Sequence, residues 1–335
     1  MVGRLVRGGF NALKWALCGV GAVALLVTAL IATPLRRPPS LASISETARA
    51  VDRSTMPDLT RFQARDGTGL AYRHYPAGGA AVGRVAVLVH GSSGSSTSIH
   101  ALGDALAARG VEAFAVDIRG HGASGTRGDI GYVGQLEDDL ADFVAVVRKT
   151  IPDAPLTLVG HSAGGGFALR VTASPIQNLF ARTVLLAPYL GYNAPTNRPD
   201  SGGWASADLP RIVALTMLRR IGIDCCDALP VVAFAVQPNS EKIVVSAYTE
   251  RLRRNFANHP DFRSDLAAAT RPVTIMSGAE DELMVAGKYA EAVRGITPAV
   301  DVKLVDGVNH MGIVSAPKAI SAIADDVATR GAAGT

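Results

Sequence analysis

Residues 156–169 read Leu156-Thr157-Leu158-Val159-Gly160-His161-Ser162-Ala163-Gly164-Gly165-Gly166-Phe167-Ala168-Leu169, and how they fold decides how the whole chain folds. A run of strand length leads into Gly-x-Ser-x-Gly, and an apolar helical pattern (Phe167, Ala168, Leu169, Val171) follows. A serine among small residues, with strand before and helix after, predicts a tight turn that presents its hydroxyl at a sheet edge: a nucleophile elbow. The helix that starts there offers unpaired backbone N–H groups and the positive end of its dipole. The short pattern alone is weak; its strand-and-helix setting carries the reading.

Similar apolar runs recur on either side. Arg61–Ala64 and Leu70–Tyr75 suggest a hairpin, and Val85–Val89, Val111–Val116, Leu156–Val159, Thr183–Leu186, Val273–Met276 and Val300–Val305 read as further strands. Helical patterns lie between several of them. In Gln135–Thr150, Leu136, Leu140, Phe143, Val144 and Val147 share one face, with acids in the first turn and Arg148 and Lys149 in the last. Strand–helix alternation predicts an α/β fold: a mostly parallel eight-stranded sheet with helices on both faces. Residues 191–271 break the rhythm. They are far longer than an ordinary connection and carry helical stretches at Leu209–Ile221 and Ile243–Phe256, so they read as an inserted helical cap. The expected organisation is a basic flank (1–14), an apolar segment (15–35), a linker (36–57), a first core part (58–190), the cap (191–271) and a second core part (272–330).

A serine hydroxyl needs a base, and the base needs an orienting acid. The elbow architecture orders them Ser, acid, His, each on a turn after a strand. Beyond the elbow stand only His259 and His310, and His310 alone follows a strand, through Asp306-Gly307-Val308-Asn309. The turn after Val273–Met276 holds Glu280, Asp281 and Glu282, and spacing does not choose among these carboxylates. For an oxyanion hole, one donor is expected at the backbone N–H of Ala163. The other is expected in the loop His90-Gly91-Ser92-Ser93-Gly94-Ser95-Ser96 after the third strand. Gly120-His121-Gly122-Ala123-Ser124-Gly125 matches a dinucleotide-binding string, but no helix opens after it and no acid ends a following strand. It reads as a Gly-rich turn. No P-loop and no HExxH is present.

Composition bounds the rest. With 335 residues, 48% hydrophobic and three cysteines, the chain has material for a large core and is neither disordered nor disulfide-stapled. The formal charge is +4, yet Arg4, Arg7, Lys14, Arg36 and Arg37 give the first 37 residues +5 and leave the body at −1. A nucleic-acid partner, which needs its basic excess on the folded body, is not expected. Trp15–Thr33 carries no charge and is long enough to cross a bilayer. A cleaved secretory signal has a shorter apolar run, so an uncleaved single-pass anchor is expected, with a cytoplasmic N-terminus and the body outside. Cys18 lies in the apolar segment, the neighbours Cys225 and Cys226 read as two buried or free thiols, and no grouping offers a zinc site.

On His90-Gly91, Asp117-Ile118-Arg119-Gly120-His121-Gly122-Ala123-Ser124, Gly160–Gly164, Gly278–Asp281 and Asn309-His310, the chain resembles the α/β-hydrolase superfamily. Within it, the chain resembles the monoacylglycerol lipase/serine aminopeptidase-like (lysophospholipase-like) branch, over about residues 60–330. The resemblance implies that Asp281 is the acid and that Ser92 and Ala163 supply the oxyanion N–H groups. It also implies a serine hydrolase acting on a small-molecule ester or lipid through an acyl-enzyme, with Ser162, Asp281 and His310 as triad and no metal or organic cofactor. The Ser-rich loop after Gly91 departs from the lipases, and no cap segment matches a substrate. Those departures leave specificity open between a lipid ester and a peptide. A non-catalytic anchored binding protein is the reading from another class. Oligomeric state is left open.

Overall fold

The computed structural model describes residues 2–238, 240 and 244–329, side chains of residues 2–12 and 200 apart. The strands are β1 (Leu59–Gln63), β2 (Gly69–Tyr75), β3 (Val85–Val89), β4 (Glu112–Asp117), β5 (Leu156–His161), β6 (Arg182–Leu186), β7 (Ala205–Ala207), β8 (Pro230–Phe234), β9 (Ala247–Thr249), β10 (Val273–Gly278) and β11 (Asp301–Val305). The helices are α1 (Val2–Ile31), α2 (Ala42–Arg49), α3 (His100–Ala108), α4 (Gln135–Thr150), α5 (Ala163–Thr172), α6 (Leu209–Arg220), α7 (Glu250–Asn255), α8 (Phe262–Ala267), α9 (Tyr289–Ala292) and α10 (Pro317–Thr329).

Eight strands join in one sheet in the order β1-β2-β4-β3-β5-β6-β10-β11. β2 pairs antiparallel with β1 and β4, and the other neighbours run parallel. Strands β3, β5, β6 and β10 are buried at every residue. Helices cover both faces of a parallel sheet, which is why these runs are apolar throughout rather than alternating. α4 lays its expected face inward, and Phe143 meets Phe62, Tyr72 and Phe114 with ring centroids 5.3, 5.0 and 6.0 Å away. The turns after β3, β5, β10 and β11 all open at the carboxyl edge, where ligands of such sheets bind.

Several expectations shift. β5 and β10 each extend two residues past the apolar run, because the paired neighbouring strands continue the ladder that far. The linker contains α2, whose Ile44 is buried against the core. α1 starts at Val2, well before the uncharged segment, and its membrane-length apolar part is Leu13–Ile31. The insertion between β6 and β10 is not wholly helical: β7, β8 and β9 form a separate three-stranded antiparallel sheet. Within the expected helix Ile243–Phe256, Ile243 lies outside the described residues, Ala247–Thr249 is strand, and only Glu250–Asn255 is helix. Tyr248 and Thr249 suit a strand, and Thr249 ends it by accepting the Leu252 N–H as the N-cap of α7. Residue 330, the expected end of the second core part, also lies outside the described residues. The cysteines are free: Cys18 and Cys225 are exposed, and Cys226 is half-buried with its Sγ 3.0 Å from that of Cys225.

Candidate active site

Ser162 sits between β5 and α5 at φ 55°, ψ −117°, a backbone conformation that L-residues rarely adopt. Its peptide groups hold it there. The N–H donates to Leu186 O at 2.9 Å, and the carbonyl accepts from Gly166 and Tyr189 N–H at 3.0 Å each. The glycines allow the turn to close: a Cβ on Gly160 would stand 2.2 Å from Gly164 O, and one on Gly164 would stand 2.3 Å from His90 O. Ala163 opens α5, so its N–H belongs to the unpaired first turn.

Of the three adjacent carboxylates, Asp281 is the one brought to His310, with Oδ2 2.8 Å from Nδ1. Its Oδ1 accepts from Leu283 and Met284 N–H at 2.8 and 2.7 Å. Burial alone would raise the Asp281 carboxyl, but the His310 ring and these two N–H groups outweigh it and hold the pKa below the usual value. Facing a carboxylate, His310 Nδ1 carries a proton, and Nε2 is left with its lone pair. Glu282 accepts the His310 backbone N–H at 2.8 Å, and Glu280 is exposed. His259 pairs instead with Asp265 at 2.8 Å. Neither Ser162 Oγ nor His310 Nε2 has a hydrogen-bond partner among the described residues, so the expected bond between them is not formed here. Catalytic hydrogen bonds are often open before substrate arrives. His161 lies beside His310, ring centroids 4.9 Å apart and planes tilted by 42°, and donates from Nε2 to the His310 carbonyl at 3.2 Å. Burial first, and then the neighbouring His310, pushes His161 down to about 3, so it stays neutral.

The loop after β3 closes over the serine. A Cβ on Gly91 would stand 3.2 Å from Ser162 Cβ. His90 accepts Ile118 N–H on Nε2 at 3.2 Å, so Nδ1 carries the proton and donates to Gly91 O at 2.8 Å. Carbonyl and N–H point opposite ways in a trans peptide, so fixing Gly91 O turns the Ser92 N–H to the other side of the loop. That N–H has no partner among the described residues. The insertion grips the same loop. Trp204 Nε1 donates to Ser92 Oγ at 2.8 Å, and Ser93, at φ 66°, donates its N–H to Tyr248 Oη at 2.8 Å. Ser93 also exchanges bonds with Val245, its carbonyl accepting the Val245 N–H at 2.9 Å and its hydroxyl donating to Val245 O. Tyr248 Oη lies 2.6 Å from His121 Nε2, and the His121 Nδ1–H reaches Arg119 O at 3.3 Å. Burial, then the nearby His90, drives His121 far below its usual value, so the relay from Ser93 through Tyr248 to His121 is uncharged.

Nothing local in the sequence marks Tyr248, Val245 or Trp204, each of which touches a loop more than 100 positions away. Asp117 and His121 stand out in the sequence only as motif members. Asp117 accepts Ser96 N–H at 2.7 Å and Ala123 N–H at 2.8 Å and thereby joins the two loops. Arg119 is buried against Asp139 and Asp66 at 2.7 and 2.9 Å. Ser162, Asp281 and His310 are 6, 2 and 2% exposed. Two surface cavities, of about 510 and 260 Å³, lie elsewhere, one along α4 beside Asn178 and Leu179, the other at Arg119 and Arg251. Among the described residues no three His, Cys, Asp or Glu side chains gather as metal ligands would.

The Hydrolase_4 family, described as "Serine aminopeptidase, S33", matches residues 80–314. A monoglyceride lipase homolog of Monkeypox virus is 29% identical over 106 residues, covering 31% of this chain and 38% of that protein. A monoacylglycerol lipase of Mycolicibacterium smegmatis is 32% identical over 83 residues, covering 24% and 30%. The chain therefore spans well under half the length of these two curated relatives. A soluble variant of monoglyceride lipase from Saccharomyces cerevisiae superposes with a TM-score of 0.63 at 18% identity, over 82% of this chain and 95% of that one. The fold is that of the α/β-hydrolases.

Proposed function

The chain belongs to the Hydrolase_4 family (Serine aminopeptidase, S33), and from that premise we propose that it is a serine hydrolase cleaving carboxylic esters of lipid type, monoacylglycerol or lysophospholipid. The observation that carries the reading is the 2.8 Å contact between buried Asp281 and His310, on the same sheet edge as the strained Ser162.

In this mechanism His310 Nε2 takes the proton of Ser162 Oγ as the oxygen attacks the ester carbonyl. Asp281 keeps the ring oriented and stabilises the imidazolium. The N–H groups of Ala163 and Ser92 hold the oxyanion. The C–O bond breaks, the alcohol leaves with the proton from Nε2, and the acyl group stays on Ser162. Water then attacks with His310 again as base, releasing the acid and restoring the serine. Ester and water become acid and alcohol, with no net proton left on the enzyme.

Residues 58–190 and 272–330 act as the hydrolase core, 191–271 as the cap, and 15–35 as a single-pass anchor with the N-terminus cytoplasmic. The lipid substrate class draws support from the apolar cap, which buries Leu215, Val231, Val232 and Phe234, and from the lipases among the relatives. An aminopeptidase would need a cap carboxylate free to take a substrate amine. The buried acids described there are already paired: Asp208 with Arg211, Glu250 with Arg253 and Arg219, Asp265 with His259. That favours the ester.

The test is hydrolysis of a p-nitrophenyl ester chain-length series by the full chain in detergent, with Ser162→Ala beside it. Turnover that vanishes in the variant and rises with chain length is the expected result. Cleavage of aminoacyl amides in place of esters would replace this reading with the peptidase.

A further inference from the structure

The N-terminal helix does not stand apart from the body. Its last turns pack on α6, where Val27 is buried. Arg211, in the first turn of α6, donates from Nε to Ile31 O at 2.9 Å and from Nη2 to Thr33 O, so a cation of the cap satisfies carbonyls left open at the end of α1. Thr33 Oγ1 in turn donates to both oxygens of Asp208, the α6 N-cap, at 2.8 and 2.9 Å. Arg211 Nη1 reaches Pro230 O at 2.5 Å and ties the joint to β8. The end of α1 is thus bolted to the cap by two buried, charged residues.

α6 also carries apolar side chains that the protein does not cover. Leu209, Val213 and Met217 recur every fourth residue, with Ile221 just after the helix, and they are 65, 51, 42 and 72% exposed. Spacing of four places them on one face. Arg220, at the end of α6, and Arg36, five residues after α1, are exposed cations.

We propose that the occupant of the α6 stripe is the lipid bilayer that α1 enters: α6 lies in the headgroup–acyl boundary, held there by Asp208 and Arg211. The proposal rests on the reading of residues 15–35 as an anchor. From Val27 to Ile31 the helix rises about 6 Å, within the roughly 5–10 Å depth at which interfacial helices sit. The membrane surface beside α1 therefore meets α6 at the right level, and Arg36 and Arg220 meet lipid phosphates. The same cap holds Ser92 and Ser93 through Trp204, Val245 and Tyr248, so a bilayer-seated α6 and the candidate oxyanion loop belong to one connected unit.

The test uses the full chain with Cys18→Ala, Cys225→Ser and Cys226→Ser, carrying one environment-sensitive nitrobenzoxadiazole label on a new cysteine at Val20, Val213, Met217 or Lys149. It is reconstituted in phosphatidylcholine–phosphatidylglycerol vesicles with and without acyl-chain-brominated phosphatidylcholine. The expected result is several-fold quenching at positions 20, 213 and 217 and none at 149. Quenching at 20 with none at 213 and 217 overturns the proposal and leaves the anchor standing. Labels at 213 and 217 that are shielded from water yet unquenched by brominated lipid overturn it in favour of a second protein copy. No quenching at 20 removes the anchor itself, and the proposal with it. Arg211→Gln should leave quenching at 20 intact and lower it several-fold at 217; unchanged quenching at 217 would refute the role of Arg211 as the bolt.

Discussion

The sheet edge and the insertion hold their polar groups with a different balance of backbone and side chain. At the edge, the groups around Ser162 and Asp281 are backbone: Leu186 O, Gly166 N, Tyr189 N, Leu283 N and Met284 N. Their positions follow from strand register and from turns a few residues long. In the insertion, backbone bonds such as Val245 N–H to Ser93 O are joined by side chains reaching across the fold: Arg211 to Ile31, Trp204 to Ser92, Tyr248 to Ser93 and His121. The edge is a fixed frame, and the insertion is an attachment secured at a few points. A frame built on register tolerates little change, whereas an attachment can be loosened one contact at a time.

The largest effect should come from the frame. Ser162→Ala is expected to lower ester turnover by about 10⁴-fold or more, and Asp281→Asn by about 10³–10⁴-fold, with the fold intact by circular dichroism. If Asp281→Asn costs less than about tenfold, the frame is not organised around that carboxylate. Tyr248→Phe breaks the comparison from the other side. It leaves the Ser93 N–H buried without its acceptor, a loss of about 1–3 kcal/mol. A roughly tenfold fall in kcat with KM within about twofold would mean that the attachment sets the candidate oxyanion loop; an unchanged kcat would leave that to the frame alone.

What was legible in the sequence follows the same division. Ser162, His310 and the loop at His90 could be read because each follows an apolar run whose strand places it at the edge. Asp281 could not be separated from Glu280 and Glu282 by spacing, since all three share one turn and only the fold aims one of them at His310. Tyr248 was hidden for a different reason. Its partner Ser93 lies 155 residues earlier, and the stretch around it resembled a helix until pairing with β8 drew Ala247–Thr249 into a strand. α2 was hidden likewise inside a stretch that reads as linker, and Ile44 packs it against the core.

Buried histidines give a smaller effect that belongs to the frame. His161 is held at about 3, below its ordinary 6.5, chiefly by burial. A folded state that refuses a proton the unfolded chain accepts has its full contribution above pH 6.5 and loses it as pH falls from there toward 3. At about 1.4 kcal/mol per unit, the loss is on the order of a few kcal/mol. Urea unfolding between pH 7.5 and 4.5 should show stability declining, and His161→Gln should flatten the decline; an equally steep profile in the variant would assign it elsewhere. The smallest effect is expected at the bolt. Arg211→Gln should leave hydrolysis of a soluble short-chain ester within about twofold of wild type, because the residue touches no reacting group, and should slow hydrolysis of a lipid presented in vesicles several-fold.

The central claim is that Ser162 is a nucleophile activated by His310. The direct measurement is mass spectrometry of the full chain after reaction with a fluorophosphonate. One covalent adduct is expected, on the peptide containing Ser162, forming far more slowly in His310→Ala. A folded protein that forms no adduct, or forms it on another residue, would contradict it.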